Sequence, residues 1–267
     1  MIIEIFKYLS NPATRSAKKL GQLKETIAME ARYKRSKNQW SSHLKNSRDI
    51  IKKATENLKS DQEIIVLGSG LLLDIPIEFL ANNFKHIYLI DVVHLIKTKK
   101  IGNIHKNISF IEHDITGLAD TMLNYPDREL NISPEINIPY LTPNTGLIIS
   151  ANMLSQIHLA PVCYAEEKLG LNDQKLKELA KNIIQNHISL LANLPCRVCL
   201  LTDNNRVYKD KNHNIIDGES AIFDIELPKP DKTWLWEIAP MGEIHNKFSM
   251  ASEVYAYSDF PKKQRIP

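Results

Sequence analysis

The sequence predicts an α/β fold: a mostly parallel seven-stranded sheet with antiparallel strands at its C-terminal end and a helical cap at its N-terminus. Three observations predict it. Short β-branched runs alternate with helical stretches between residues 63 and 203, which makes βαβ crossovers the simplest connection. Those runs are apolar throughout, the pattern of strands buried on both faces. Residues 1–59 carry helical periodicity only. The expected division is a cap over 1–59 and one α/β domain over 60–267, the latter with an insertion at 125–146 and antiparallel strands within 204–260. A chain of 267 residues has room for one such core and a smaller appendage.

In the cap, Ile2, Ile5, Phe6 and Leu9 recur at helical spacing until Asn11-Pro12 breaks the run. A second helix is predicted over about 14–36, and a third from Ser41 or Ser42, either a suitable N-cap, through Leu58. The predicted parallel strands are EIIVLG (63–68), HIYLID (86–91), NISFIEHD (107–114), GLIISA (146–151) and RVCLLTD (197–203). Between the third and fourth, residues 125–146 hold four prolines and little periodicity, an irregular insertion. A long helix is expected over 171–194. Residues 206–217 read as a polar hairpin, and ESAIFDIEL, TWLWEIAP and FSMASEVYAY as strands.

Hydrophobic residues make up 43% and charged residues 24%, ordinary globular values, and no apolar run is long enough to span a bilayer. The N-terminus lacks the pattern of a signal peptide, so a cytoplasmic protein is expected. Cys163, Cys196 and Cys199 give no disulfide framework, and PCRVCLLTD reads as a strand rather than a redox CxxC at a helix start. The net charge of +3 conceals an asymmetry: fourteen Lys and Arg face five Asp and Glu within residues 1–59. Such a segment can attract nucleic acid or another anionic partner. The alternative is a solvated helical face, since few aromatics interleave the charges as a base-stacking surface needs.

Chemistry is expected at the carboxyl ends of the parallel strands, where ligands bind in such sheets. Gly68-Ser69-Gly70 ends the first and allows backbone N–H groups to approach a ligand. Asp91 ends the second, twenty-three residues after Gly68, where a carboxylate can accept two ribose hydroxyls. Asp114 ends the third, a further twenty-three residues on, where a carboxylate can take an adenine amine.

These strings, VLGSGLLLD, YLIDVV, FIEHDIT and GLIISANMLSQ in that order, resemble the motif series of class I S-adenosylmethionine-dependent methyltransferases across residues 63–203. VLGSGLLLD and SANMLSQ are also similar to a bacterial group within that superfamily. The resemblance implies a Rossmann-like domain that binds S-adenosylmethionine through Gly68, Ser69, Gly70, Asp74, Asp91, Asp114, Ser150 and Ala151, and that methylates an acceptor, a small molecule in the first instance. Nicotinamide-dependent enzymes share the glycine turn and the ribose carboxylate but lack, as a rule, the carboxylate after the third strand.

The departures are specific. Members of the superfamily carry an acidic residue two positions before the first glycine and a third glycine two after the second; here Val66 and Leu72 stand there. Asp74 either faces the cofactor's amino group or favours the start of the next helix. SANMLSQIHLAP occupies the place of the Asn/Asp-Pro-Pro-aromatic string of amine methylases, with Asn152 as the residue to align an acceptor and His158, ahead of His113 and His43, as a base. Arg32, Tyr33, Arg35 and the WSSHL segment form a lid or a packed anchor. A binding module that keeps the fold without catalysis is the main rival reading; a nicotinamide-dependent oxidoreductase is the other. Acceptor and oligomeric state are not legible.

Overall fold

The computed structural model describes residues 2–124 and 138–262. The cap is built from α1 (Ile2–Ser10), α2 (Arg15–Lys19), α3 (Gln22–Arg35) and α4 (Lys37–Ala54). The helix expected over 14–36 is two. Thr14 caps α2 through its hydroxyl, which accepts the Ala17 N–H, and Gly21, left-handed at φ 76°, separates α2 from α3. The third predicted helix starts earlier than Ser41: Ser36 breaks the α3 spiral and α4 begins at Lys37, while Ser41 donates to Asn38 O inside the helix. The buried face of α4 is Trp40, His43, Leu44, Ser47, Ile50, Ile51 and Ala54, a stripe at three and four that lies on the sheet.

The α/β part follows as β1 (Glu63–Leu67), α5 (Ile77–Asn83), β2 (His86–Asp91), α6 (Ile96–Lys99), α7 (Ile101–Ile104), β3 (Ile108–Glu112), α8 (Leu118–Asn124), β4 (Thr145–Ala151), α9 (Leu159–Leu169), α10 (Asp173–Asn193) and β5 (Arg197–Lys209). It closes with β6 (Ile215–Ser220), β7 (Lys232–Ala239) and β8 (Ser249–Tyr257). The sheet order is β3-β2-β1-β4-β5-β8-β7, with β6 paired to β5 as a hairpin arm. The first five strands of that path run parallel; β8 is antiparallel to β5 and to β7. The Rossmann-like expectation is therefore met, seven strands on the path and an eighth off it. β1 and β4 are buried at every residue, which is why their centres, Ile64–Leu67 and Leu147–Ile149, are continuous apolar runs. One face of the sheet packs on α4 and α5, the other on α10.

Two strand boundaries differ from expectation. β5 runs on through Lys209, with no crossover helix, and turns directly into β6. ESAIFDIEL is not a strand beyond Ser220, because the Ser220 hydroxyl accepts the Ile222 and Asp224 N–H groups and turns the chain, with Phe223 and Asp224 left-handed at φ 57° and 61°. Of the insertion predicted at 125–146, residues 125–137 lie outside the described residues.

Candidate active site

Because β1 pairs with β2 on one side and β4 on the other, chain order reverses between β1 and β4, and the crevice beyond their carboxyl ends is the topological switch point. The turn after β1 forms one wall. Gly68 and Gly70 are left-handed, at φ 72° and 47°, and so is Leu72, at φ 59°. The leucine thus holds the conformation for which the superfamily pattern supplies a third glycine, at a cost on the order of 1 kcal/mol. A Cβ on Gly68 would lie 3.0 Å from Met153 Cβ and 3.2 Å from Ala151 O, so the loops after β1 and β4 touch there; a Cβ on Gly70 would meet nothing nearer than 3.9 Å.

Asp91 closes this turn. Its Oδ2 accepts the Gly70 N–H at 2.7 Å and its Oδ1 accepts the Val92 N–H at 2.7 Å. Burial raises its pKa, partly offset by the N–H groups of Gly70, Val92 and Val93. Beside it, Ser69 Oγ and His94 Nε2 share a 2.9 Å hydrogen bond. His94 is wholly buried, its Nδ1 has no partner, and burial, then the charge of Lys99, depresses its pKa to about 4. The sequence offered only a lone histidine after YLIDVV, and nothing there signalled this contact.

Asp74 and Asn152, chosen from the sequence for separate reasons, are joined: Asn152 Nδ2 donates to Asp74 Oδ2 at 2.6 Å. Burial raises the Asp74 pKa, against the pull of its own backbone N–H, Asn152 and Arg48. Asn152 is left-handed at φ 51°, its N–H donates to Leu201 O at 2.9 Å, and its Oδ1 is buried without a partner. Asp114 is engaged locally. Its Oδ1 accepts the N–H and hydroxyl of Thr116 and its Oδ2 the Ala119 N–H, so it caps α8. Ser150 Oγ shares a 2.9 Å hydrogen bond with His187 Nε2 on the α10 side of the sheet, and Ala151 offers the crevice only backbone.

Among the base candidates, His158 is buried at the start of α9 with its Nδ1 unpartnered, its ring edge-on to Phe223 at 5.1 Å. Burial, then the charge of Arg206, brings its pKa to about 4. His43 is structural: it stacks on Trp236 at 3.9 Å and its Nδ1 accepts the Trp234 indole N–H. His113 is half-buried, and its N–H donates to Asp91 O.

The cap lies against these loops. Ala17, Leu23 and Ile27 pack on Leu71, Val92, Val93 and Leu95, and Arg48 donates to Leu73 O. Trp40 is buried, its indole N–H donating to Ile238 O. Arg35 grips Glu243 with two N–H donors, and Arg32 lies 3.7 Å from the same carboxylate, so α3 is strapped to the loop between β7 and β8. Part of the cap's basic surplus is spent internally, with Lys7 and Lys34 on Glu30, which Lys97 of α6 also approaches. Two concavities, of about 230 Å³ between α1, α3 and α6 and about 170 Å³ along α10, are lined by none of Gly68, Gly70, Asp74, Asp91, Asp114 and Asn152. Cys199 is buried and Cys196 half-buried, and burial raises both thiols, which excludes a reactive CxxC. Among the described residues no cluster fit for a metal ion occurs, and no helix is long and apolar enough to cross a membrane.

No protein-family model matches the chain, and no curated protein sequence does. Solved structures similar to it include the N-methyltransferase NodS from Bradyrhizobium japonicum WM9 with S-adenosyl-L-homocysteine, 13% identical over 79% of this chain and 85% of that one, TM-score 0.37. Another is the 1,6-didemethyltoxoflavin-N1-methyltransferase of Burkholderia thailandensis, 8% identical over 92% of each chain, TM-score 0.41. A third is the 23S rRNA methyltransferase ErmE, 9% identical over 82% of this chain and 70% of that one, TM-score 0.33. At these identities and scores the likeness carries no functional argument, and the site has to be judged on its own residues.

Proposed function

We propose that the chain is an S-adenosylmethionine-dependent methyltransferase acting on a small-molecule acceptor at the switch point between β1 and β4. The observation that carries this reading is the turn after β1: three successive alternate residues, Gly68, Gly70 and Leu72, are left-handed, and the middle one donates its N–H to the carboxylate that ends β2. The room left by the missing Cβ of Gly70 and a half-buried carboxylate of raised pKa beside it fit a nucleoside ligand, whose ribose hydroxyls can donate to lone pairs that Asp91 keeps beyond its bonds to Gly70 and Val92. The antiparallel β8, placed between β5 and β7, departs from the all-parallel dinucleotide sheet and weighs against a nicotinamide enzyme.

Bound S-adenosylmethionine supplies an activated methyl group. The residues of the chain then have three tasks. Gly70 and Asp91 hold the nucleoside, with Asp114 keeping a lone pair on Oδ2 for an adenine amine beyond its capping bonds. The Asp74–Asn152 pair fixes the loop after β4, and the unpartnered Asn152 Oδ1 can accept a donor from cofactor or acceptor. The cap and the Glu243 strap exclude water, the condition under which a well-placed acceptor reacts without a strong base.

Thermal unfolding of the protein alone and with S-adenosylmethionine, S-adenosylhomocysteine or NAD tests the proposal. A ligand at about 100 times its dissociation constant adds roughly 2.7 kcal/mol, a shift of several degrees at this size. A shift with both adenosyl compounds and none with NAD is expected, and Asp91→Asn should remove it. No shift with any of them would leave a binding module that keeps only the fold.

A further inference from the structure

At the carboxyl end of the parallel part of β5 stands Asp203, 1% exposed, with its Oδ1 free of any hydrogen-bond partner. Ser155, in the loop after β4, and Ser252, on β8, are wholly buried with unpartnered hydroxyls. Both hydroxyls lie close enough to Asp203 to favour its charged form, yet outside good hydrogen-bond geometry. Directly across from Ser252 on β7 is Trp236, also buried, whose indole N–H has no partner either. The β5–β8 register shifts between Asp203 and Asn205, the kind of bulge that re-aims a side chain beside a site.

Buried polar atoms are ordinarily paired, and three unpaired oxygens on three elements, two of them beside the Asp203 carboxyl, need a reason. Arg206 does not provide it, because it is 3.6 Å from Glu219 and acts on Asp203 only through space. Burial pushes the Asp203 pKa up to about 6, so the group is still mostly ionised at neutral pH, with Arg206 acting as a counter-charge only through space.

We propose that Asp203, Ser155 and Ser252 bind the amino group of the acceptor, which makes the acceptor an amine. An ammonium has three donors and no acceptor, and three oxygens converge here; an anionic acceptor is repelled, and a hydroxyl supplies one donor. Ser155 lies three residues past Asn152, in the loop after β4 whose Met153 comes against Gly68 at the switch point. The inference rests on the methyl-transfer reading only in calling the amine an acceptor.

The test is titration calorimetry of benzylamine, tryptamine and putrescine, each against its N-acetylated form, on the protein saturated with S-adenosylhomocysteine. At least one amine should bind ten-fold or more tightly than its acetylated form. Asp203→Asn should weaken that amine at least ten-fold and leave S-adenosylhomocysteine affinity unchanged; Ser252→Ala should weaken it less. Equal binding by the Asn variant, preference for the acetylated forms, or no amine binding beside a bound S-adenosylhomocysteine would overturn the inference. If S-adenosylhomocysteine does not bind, the cofactor reading falls, and the same titrations of the protein alone decide the amine site.

Discussion

Asn152 and Asp74 sit 78 residues apart in the chain, and a 2.6 Å hydrogen bond joins them across the mouth of the β1–β4 crevice. The bond couples the loop that carries the acceptor-aligning candidate to the loop that carries the glycine turn. Asn152→Ala should remove it, leave the half-buried Asp74 without that donor, and place an alanine at φ 51°. A loss of about 2 kcal/mol by denaturant titration is expected. Asp74→Asn with Asn152→Ala in a double-mutant cycle should show a coupling of about 0.5–3 kcal/mol. Additive losses would mean that the two loops are held independently.

The glycine turn makes a ranked prediction. Gly68→Ala and Gly70→Ala both force alanine into the left-handed region, but only at Gly68 does the new methyl meet backbone and side chain at 3.0–3.2 Å. Gly68→Ala should therefore cost more stability than Gly70→Ala, about 3 against about 1 kcal/mol. Gly70→Ala should instead show its larger effect on S-adenosylhomocysteine affinity, measured by calorimetry.

Much of this was legible in the sequence for identifiable reasons. The buried strands β1 and β4 have no exposed face, so their central residues, Ile64–Leu67 and Leu147–Ile149, are apolar runs, and the ends of β1, β2 and β3 are marked by Gly68, Asp91 and Asp114. What was not legible depends on long-range contact. No spacing announces that Asp74 meets Asn152, that Ser69 meets His94, or that Asp203 lies bare beside serines from two other elements. Helix starts failed where a local side-chain bond or a single left-handed residue, such as Gly21, outweighs periodicity.

Four buried histidines set the response to acid. Burial holds His94, His158 and His187 at about 4 and His43 at about 3, all below the usual value for a histidine. A histidine depressed in the folded state contributes stability that is present above its unfolded pKa and is lost as pH falls through the folded value. Stability should decline from about pH 6.5 toward pH 4. His187→Gln, which can keep a partner for Ser150, should flatten that decline in denaturant titrations at stepped pH; an unchanged slope would mean that His187 charges without cost.

Asp203 predicts a change of the opposite sign. Its carboxyl, raised to about 6 from the ordinary 3.8, is held neutral more easily in the folded state than in the unfolded chain. The penalty for its charge is absent below the unfolded pKa, grows between the two values and is constant above the folded one. Asp203→Asn should accordingly stabilise the protein at pH 7.5, on the order of 1–3 kcal/mol or several degrees in Tm, and the gain should vanish near pH 4. A substitution that raises Tm while abolishing amine binding is the mark of a residue kept for a ligand at the expense of stability. If Asp203→Asn instead lowers Tm at pH 7.5, the carboxylate is holding the ends of β5 and β8 together, and its bare oxygen has a structural role.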